Sequence, residues 1–346
     1  MVKSFQTAVV STIVLAMLLG SVLLGSGCGS FADPAIVSDL RVLAITAEPP
    51  EQLLDIDLTM PPTAEQLLVQ LKPVKICGLL HNPGDPRPLR WSITVCGGDI
   101  SDRCPADEPL LEVASGTLAN PATTSPEPTL CATLQPSLSF LFIVQQAINN
   151  DQISGLGGIN VNVQLAFAVE EDFATAPLYG SKKIVLAPRI PVQRMVNNNP
   201  IVTTYTAQLA SAAKQPFGDA VPLPLGRCLD LAAAGQVPFM ATGGNRVRIT
   251  PIEPPGAREP YVVPTLSGGS RMFTESLTYQ WLATAGGFTA GSTGGKRDAF
   301  GNPALLYSDW KAPTELNAPL DVSLWILPRD ERLGSAWVET CIRVMP

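Results

Sequence analysis

Proline recurs 33 times along these 346 residues, and glycine another 28. A ring that fixes φ and removes an N–H ends helices, and strands tolerate it only at edges and bulges. A chain punctuated this often cannot build long helices; it suits short strands joined by many turns. Apolar residues make up 46% of the chain, ample for packed cores rather than a disordered chain.

Period-two alternation locates the strands. In 158–171, Ile159, Val161, Val163, Leu165 and Phe167 alternate with Asn160, Asn162 and Gln164. In 89–97, Trp91, Ile93 and Val95 share one face, and Ser92, Thr94 and Cys96 the other. Further strands are expected in 39–51, stopped by Pro49 and Pro50, in 66–80 with Pro73 at a bulge or edge, and in 181–188, 245–254 and 276–288. Residues 321–344 read as two strands around "PRDERLGS", a hairpin loop. One helix is expected over 136–151, with Leu138, Leu141, Phe142, Val144, Gln145 and Ile148 as its apolar stripe. The stretches 97–130 and 288–310 read as long loops. Three asparagines, Asn197 to Asn199, before Pro200 read as a turn-forming joint. The length favours two domains: 39–191, carrying the helix, and 205–346, joined by a linker, 192–204.

The N-terminus has the parts of an export signal: Lys3, an apolar run from Ala8 to Leu24, then "LLGSGCGS" (23–30). Ser26 and Gly27 directly before Cys28 match a bacterial lipobox, although Gly25 stands where an aliphatic residue is usual. The expectation is a lipoprotein signal peptide over 1–27, lipid attachment at Cys28 and a tether over 28–38. The thiol would carry a diacylglycerol, and several acyl chains on one cysteine give stable anchoring. Gly29 after the cysteine, in place of Asp, resembles an outer-membrane address. A secretory signal without lipid and a retained membrane anchor are the alternatives.

Seven cysteines, less Cys28, leave six. An even set in an exported chain reads as disulfides. Cys228 and Cys341 are alone in the second half and are expected to pair. Cys77, Cys96, Cys104 and Cys131 allow three connectivities. Cys96 with Cys104 brackets a short polar loop and looks local, which would leave Cys77 with Cys131.

"VSDLRVLAITAEPPE", "LRWSITVC" with a second cysteine soon after, "NNNPIV", "YQWLATAGGF", "DWKAP" and "SLWILPRDERLGSAW" form a series that resembles one in exported lipoproteins of myxobacteria and their relatives. The family has more glycine around its final hairpin. The resemblance implies a mainly β fold, two tandem Ig-like β-sandwich domains with the helix inserted in the first and an Ig- or PKD-like second. It carries no reaction and no catalytic residues. An Ig-type core buries a tryptophan beside an inter-sheet disulfide. Trp91 with Cys77 would fill that role in the first domain, and Trp281, Trp325 or Trp337 with Cys341 in the second.

No catalytic constellation declares itself. His81 is the sole histidine and falls in a turn-like stretch; no GxSxG, CxxC or phosphate-loop motif occurs. "GLGGIN" (155–160) lacks the strand-before-helix context of a nucleotide loop and reads as the end of the helix, with Gly at the cap; "SGGS" (267–270) and "GSTGG" (291–295) read as flexible Gly-Ser turns. Two acidic groups, Glu170 to Asp172 and Asp330 with Glu331, fall at strand ends and turns, where solvated carboxylates are normal. Asp99 and Asp102 with the carbonyls of Gly97 and Gly98 are a weaker Ca²⁺ candidate. No cofactor and no metal is expected. A net charge of −7 argues against nucleic acid as a partner. The expected function is a non-enzymatic envelope lipoprotein, bound to the membrane through its lipid and binding a protein or glycan, or acting as a spacer. A carboxylate-based glycan-active or hydrolytic enzyme and a subunit of an envelope assembly are the alternatives.

Overall fold

Alternation in β4 (Leu89–Gly97) buries Ile93 and Val95, and that in β7 (Ile159–Val169) buries Val161, Val163, Leu165 and Phe167. These two strands pair antiparallel, Ile93 opposite Leu165. They anchor a five-stranded sheet, β2-β8-β7-β4-β5, with β2 (Glu51–Leu54), β5 (Leu111–Leu118) and β8 (Leu178–Pro188). A three-stranded sheet, β1-β3-β6, faces it, from β1 (Arg41–Glu48), β3 (Val74–His81) and β6 (Thr129–Leu134). The core between them includes Ile45, Ile76, Ile93, Leu165 and Ile184. The computed structural model describes residues 33–55, 63–98, 103–105, 108–119, 129–151, 158–236, 238–265 and 269–346. Cys28, the signal segment, Asp99, Asp102 and parts of 155–160 and 267–270 lie outside them.

A second pair of five-stranded sheets follows. One is β10-β9-β12-β18-β16, from β9 (Tyr205–Ala210), β10 (Pro216–Pro222), β12 (Arg246–Pro251), β16 (Gly287–Phe288) and β18 (Ser308–Lys311). The other is β11-β20-β19-β15-β17, from β11 (Phe239–Thr242), β15 (Thr278–Ala283), β17 (Ser292–Gly294), β19 (Leu320–Arg329) and β20 (Val338–Met345). Their core holds Tyr205, Val247, Trp281, Trp310 and Ile326. β13 (Pro260–Pro264) and β14 (Ser270–Thr274) form a separate two-stranded sheet. The fold is mainly β, as the turn-rich composition requires.

Three helices occur among the described residues. α1 (Ala64–Gln70) replaces the first part of the strand expected over 66–80. Thr63 and Gln66 form a reciprocal capping box, a local start signal that outweighs the apolar run after it. α2 (Leu138–Asn150) is the expected helix, capped by Ser137. Its buried stripe is Phe140, Ile143, Val144 and Ala147, whereas Leu138 and Phe142 are 69% and 57% exposed. Consecutive apolar residues from Leu141 to Val144 hid the phase. Gly97 sets the stripe: a Cβ there would come within 2.9 Å of the Ala147 nitrogen. Gly97 and Gly98 are thus close-packing positions. α3 (Cys228–Ala233) is short. No described helix is long and apolar enough to cross a membrane.

The three disulfides are Cys77–Cys131, Cys96–Cys104 and Cys228–Cys341. Their placement departs from the Ig pattern. Cys77 and Cys131 are register partners on adjacent strands of one sheet, so the bond staples β3 to β6 and does not cross between sheets. Trp91 is only half-buried. Cys228–Cys341 ties α3 to β20. Trp281 and Trp310 are buried without it, donating to Thr293 Oγ1 at 2.8 Å and to the Ala285 carbonyl at 3.0 Å.

A third core joins the two sheet pairs: Val37, Leu43, Ala44, Leu79, Leu282, Trp325 and Leu327, with Trp337 against it. His81, the last residue of β3, is buried there with its ring edge-on to Trp325 at 5.5 Å. Ala35 and Val37, within the stretch expected as tether, are buried; Val37 N–H donates to the Ala283 carbonyl and Ala283 N–H to that of Ala35. Residues 35–346 form one compact unit.

Loop-closure entropy ranks the disulfides. Cys228–Cys341 spans 113 residues and Cys96–Cys104 spans 8. Replacing the first pair with alanines is expected to cost roughly 2 kcal/mol more than replacing the second. Urea unfolding of the two double variants, oxidised at their remaining pairs, measures the difference; equal losses would refute the ranking.

Candidate functional site

The hairpin turn between β19 and β20, expected as an exposed loop, is built into the joint between the sheet pairs. Asp330 Oδ1 accepts from the backbone N–H groups of Arg332 (2.8 Å) and Gly334 (2.7 Å). Leu333 takes positive φ. A Cβ on Gly334 would stand 2.0 Å from Asp330 Oδ2, so the curl requires glycine there. This curl aims Arg332 inward. Its guanidinium donates to Glu51 Oε2 at 2.6 Å, to Glu275 Oε1 at 3.2 Å and to the Met195 carbonyl at 2.8 Å. Arg194 donates to the other Glu51 oxygen at 2.8 Å.

The asparagines before Pro200 close the same joint. Asn197 is buried; its backbone N–H donates to Glu51 Oε2 at 2.6 Å and its amide to the Arg332 carbonyl at 3.0 Å. Asn199 donates to the Ala47 carbonyl and accepts from Ser335 N–H. Ser335 Oγ donates to the Ile45 carbonyl, and Lys182 donates to Ser335 Oγ and the Leu333 carbonyl. Residues 194–199 are a wired joint.

Burial governs the electrostatics. The side chains of Glu51 and Glu275 are 4% and 2% exposed. Burial, reinforced by Asp330, pushes the Glu275 carboxyl up to about 7 despite Arg332. Asp330 is also raised by burial. Burial pulls the Lys182 ammonium down to about 8. His81 is pulled down to about 4 by burial, with Arg41 adding to it, so the ring is neutral in the core.

Beside the joint lies a cavity of about 860 Å³ between the β13–β14 hairpin and residues 295–306 of the expected loop 288–310. Tyr261 and Phe273, register partners, stack at 5.5 Å along its wall. Arg258, Lys296 and Arg297 line it with Glu275 and Glu331. Glu331 accepts from Tyr261 Oη at 2.7 Å, Ser276 Oγ at 3.2 Å and Lys296 Nζ at 3.0 Å. Burial raises the Glu331 carboxyl, but these three donors outweigh it and leave it below its usual range. Arg258 is held by Glu253 at 2.7 Å. The guanidinium of Arg332 lies 5.2 Å from the Tyr261 ring centre, so joint and cavity share a wall.

Of the acids singled out in the sequence, Asp330 shapes the turn and Glu331 floors the cavity; neither is a freely solvated turn residue. Glu170, Glu171 and Asp172 are exposed on a 3₁₀ turn. Glu51 and Glu275 carried no signal, because their partner Arg332 is remote in sequence. The expected loop 97–130 contains β5 and the start of β6. No group of three or more His, Cys, Asp or Glu fit to hold a metal occurs among the described residues.

No family model and no curated protein matches the chain. Among solved structures it is similar to red sea bream transglutaminase (TM-score 0.21, 8% identity, 90% of this chain and 32% of that one). It is also similar to Escherichia coli alpha-2-macroglobulin activated by porcine elastase (0.22, 10%, 91% and 23%) and to the BSP domain of a biofilm associated protein (0.25, 8%, 92% and 61%). The chain spans less than two thirds of each, and at these scores the likeness carries no argument about activity.

Two outcomes follow from the joint. Arg332→Met leaves Glu275 without its cation and Glu51 with Arg194 alone, and is expected to lower stability by about 3 kcal/mol; a loss below about 1 kcal/mol in denaturant titration would contradict the geometry. Between pH 4.5, the ordinary value for Glu275, and about 7, its folded value, the native state holds a proton that the unfolded chain has released. Stability therefore falls as pH rises through this window. Melting curves of the wild type should lose ground against Glu275→Gln from pH 4.5 to 7; parallel curves would refute this.

Proposed function

We propose that this chain is a non-enzymatic lipoprotein of the cell envelope, anchored through Cys28, that binds a protein or glycan partner. The cavity beneath the β13–β14 hairpin carries the binding part of this reading. It joins a stacked aromatic wall to polar groups that can orient a ligand. Its ionisable side chains are already engaged: Glu331 by three donors, Glu275 by Arg332 and the Glu259 N–H, Arg258 by Glu253. A general acid or base needs its proton or lone pair turned to the substrate; side chains held this way suit binding. Three disulfides fit an oxidising compartment, and the lipobox-like run before Cys28 supports the anchor.

One observation favours a second reading, a carboxylate-based glycan hydrolase. Glu275 and Glu331 line one cavity with pKa values driven in opposite directions, which is how acid and base roles are divided in such sites.

Intact mass of the protein from native membranes, with and without reduction, tests the anchor. A chain starting at Cys28 and bearing acyl mass is expected; one retaining Met1, or cleaved without lipid, would overturn it. Titration with soluble envelope glycan and peptide fragments separates the two readings. Binding without turnover that is weakened by Tyr261→Ala supports the binding module; cleavage abolished by Glu275→Gln and Glu331→Gln would establish the hydrolase.

A further inference from the structure

The β12–β18 ladder places two arginines on the outer face of its sheet. Arg248 stands opposite Asp309 and is held by it at 2.8 and 3.1 Å. Two residues along, on the same face, Arg246 stands opposite Lys311. Like charges directly opposed across an antiparallel pair are destabilising. The next residues in that row are small: Ala210 on β9 and Gly287 on β16. A Cβ on Gly287 would meet nothing within 4 Å. Over this row lies an open groove of about 680 Å³, lined also by Lys214 of the β9–β10 turn.

Lys214, Arg246 and Lys311 take part in no ion pair among the described residues; Glu315 is the one acid lining the groove. In a chain of net charge −7, this groove gathers three basic side chains against one acid, two of them directly opposed across a strand pair. We infer that the groove floored by Arg246, Lys311 and Gly287 is a binding site for a compact, multiply charged oxyanion of the phosphate-ester class. Arg246 offers a planar fork to two oxygens, and Lys311 and Lys214 add point charges. Bound there, a dianion removes the repulsion between Arg246 and Lys311. The protein's overall negative charge repels a long polyanion, so the ligand is small or a single headgroup. This site is separate from the cavity under the β13–β14 hairpin and does not depend on what that cavity binds.

The test is calorimetric titration of the full chain in detergent with inorganic pyrophosphate and, separately, with dihexanoyl phosphatidic acid below its micelle concentration. Saturable binding that weakens with added salt is expected. Lys311→Glu sets a carboxylate opposite Arg246, as Asp309 stands opposite Arg248. It should reduce affinity by about tenfold or more, with Tm unchanged or raised. Lys72→Glu, the same charge change on the exposed connection between α1 and β3, should leave affinity unchanged. If Lys311→Glu does not fold, Arg246→Gln supplies the same loss. Tighter binding of the lipid assigns the site to a headgroup; equal binding assigns it to a soluble phosphate. No saturable binding of either probe, or equal affinity in the Lys311 and Lys72 variants, would overturn the inference.

Discussion

Arg332 is the one charge that two buried carboxylates share. Glu51 comes from the first sheet pair, where Arg194 also holds it, and Glu275 from the second, where burial raises its carboxyl even with Arg332 beside it; the guanidinium between them ties the two together. Everything around Arg332 serves to place it: the Asp330 carboxylate that curls the turn, the glycine that admits the curl, and Asn197, whose two donors hold Glu51 and the Arg332 carbonyl. Hydrophobic burial alone would let the two sheet pairs slide; a guanidinium with a carboxylate on either side fixes one alignment.

That alignment explains why a third core exists. Leu43, Ala44 and Leu79 belong to strands of the first pair, and Leu282, Trp325 and Leu327 to strands of the second. Once the charged joint sets the register, these side chains meet, and His81 is neutral because it sits among them. The polar joint and the apolar seam are complementary: one supplies direction, the other the area removed from water. The cavity inherits its wall from the same turn, since Glu331 and Arg332 are adjacent and face opposite sides of it.

Much of the β architecture was legible because alternation is a local property. β4, β7 and the β19–β20 hairpin follow from side chains two residues apart, and the disulfide pairs from spacing and parity. Three kinds of feature were not legible. α1 lay under an apolar run whose capping box at Thr63 and Gln66 reads only if sought. The buried face of α2 was masked by consecutive apolar residues, so only the approach to Gly97 decides its phase. The joint was invisible because its charges are distributed along the whole chain: "PRDERLGS" has the composition of a solvated turn, and nothing near Glu51 or Glu275 announces a partner. The same limit applies to Trp310 and to the aromatic wall of Tyr261 and Phe273.

The pairing of Ala35 to Val37 with β15 has a mechanical consequence. Chain entering at residue 35 runs first along the second sheet pair and only then into β1 of the first. A pull arriving from the N-terminal side is therefore borne initially by hydrogen bonds to Ala283, loaded in shear along a parallel contact, with β19 directly behind that strand. The first sheet pair is spared until those bonds part, so the sequence-distant half of the molecule acts as the strain relief for the half nearest the N-terminus.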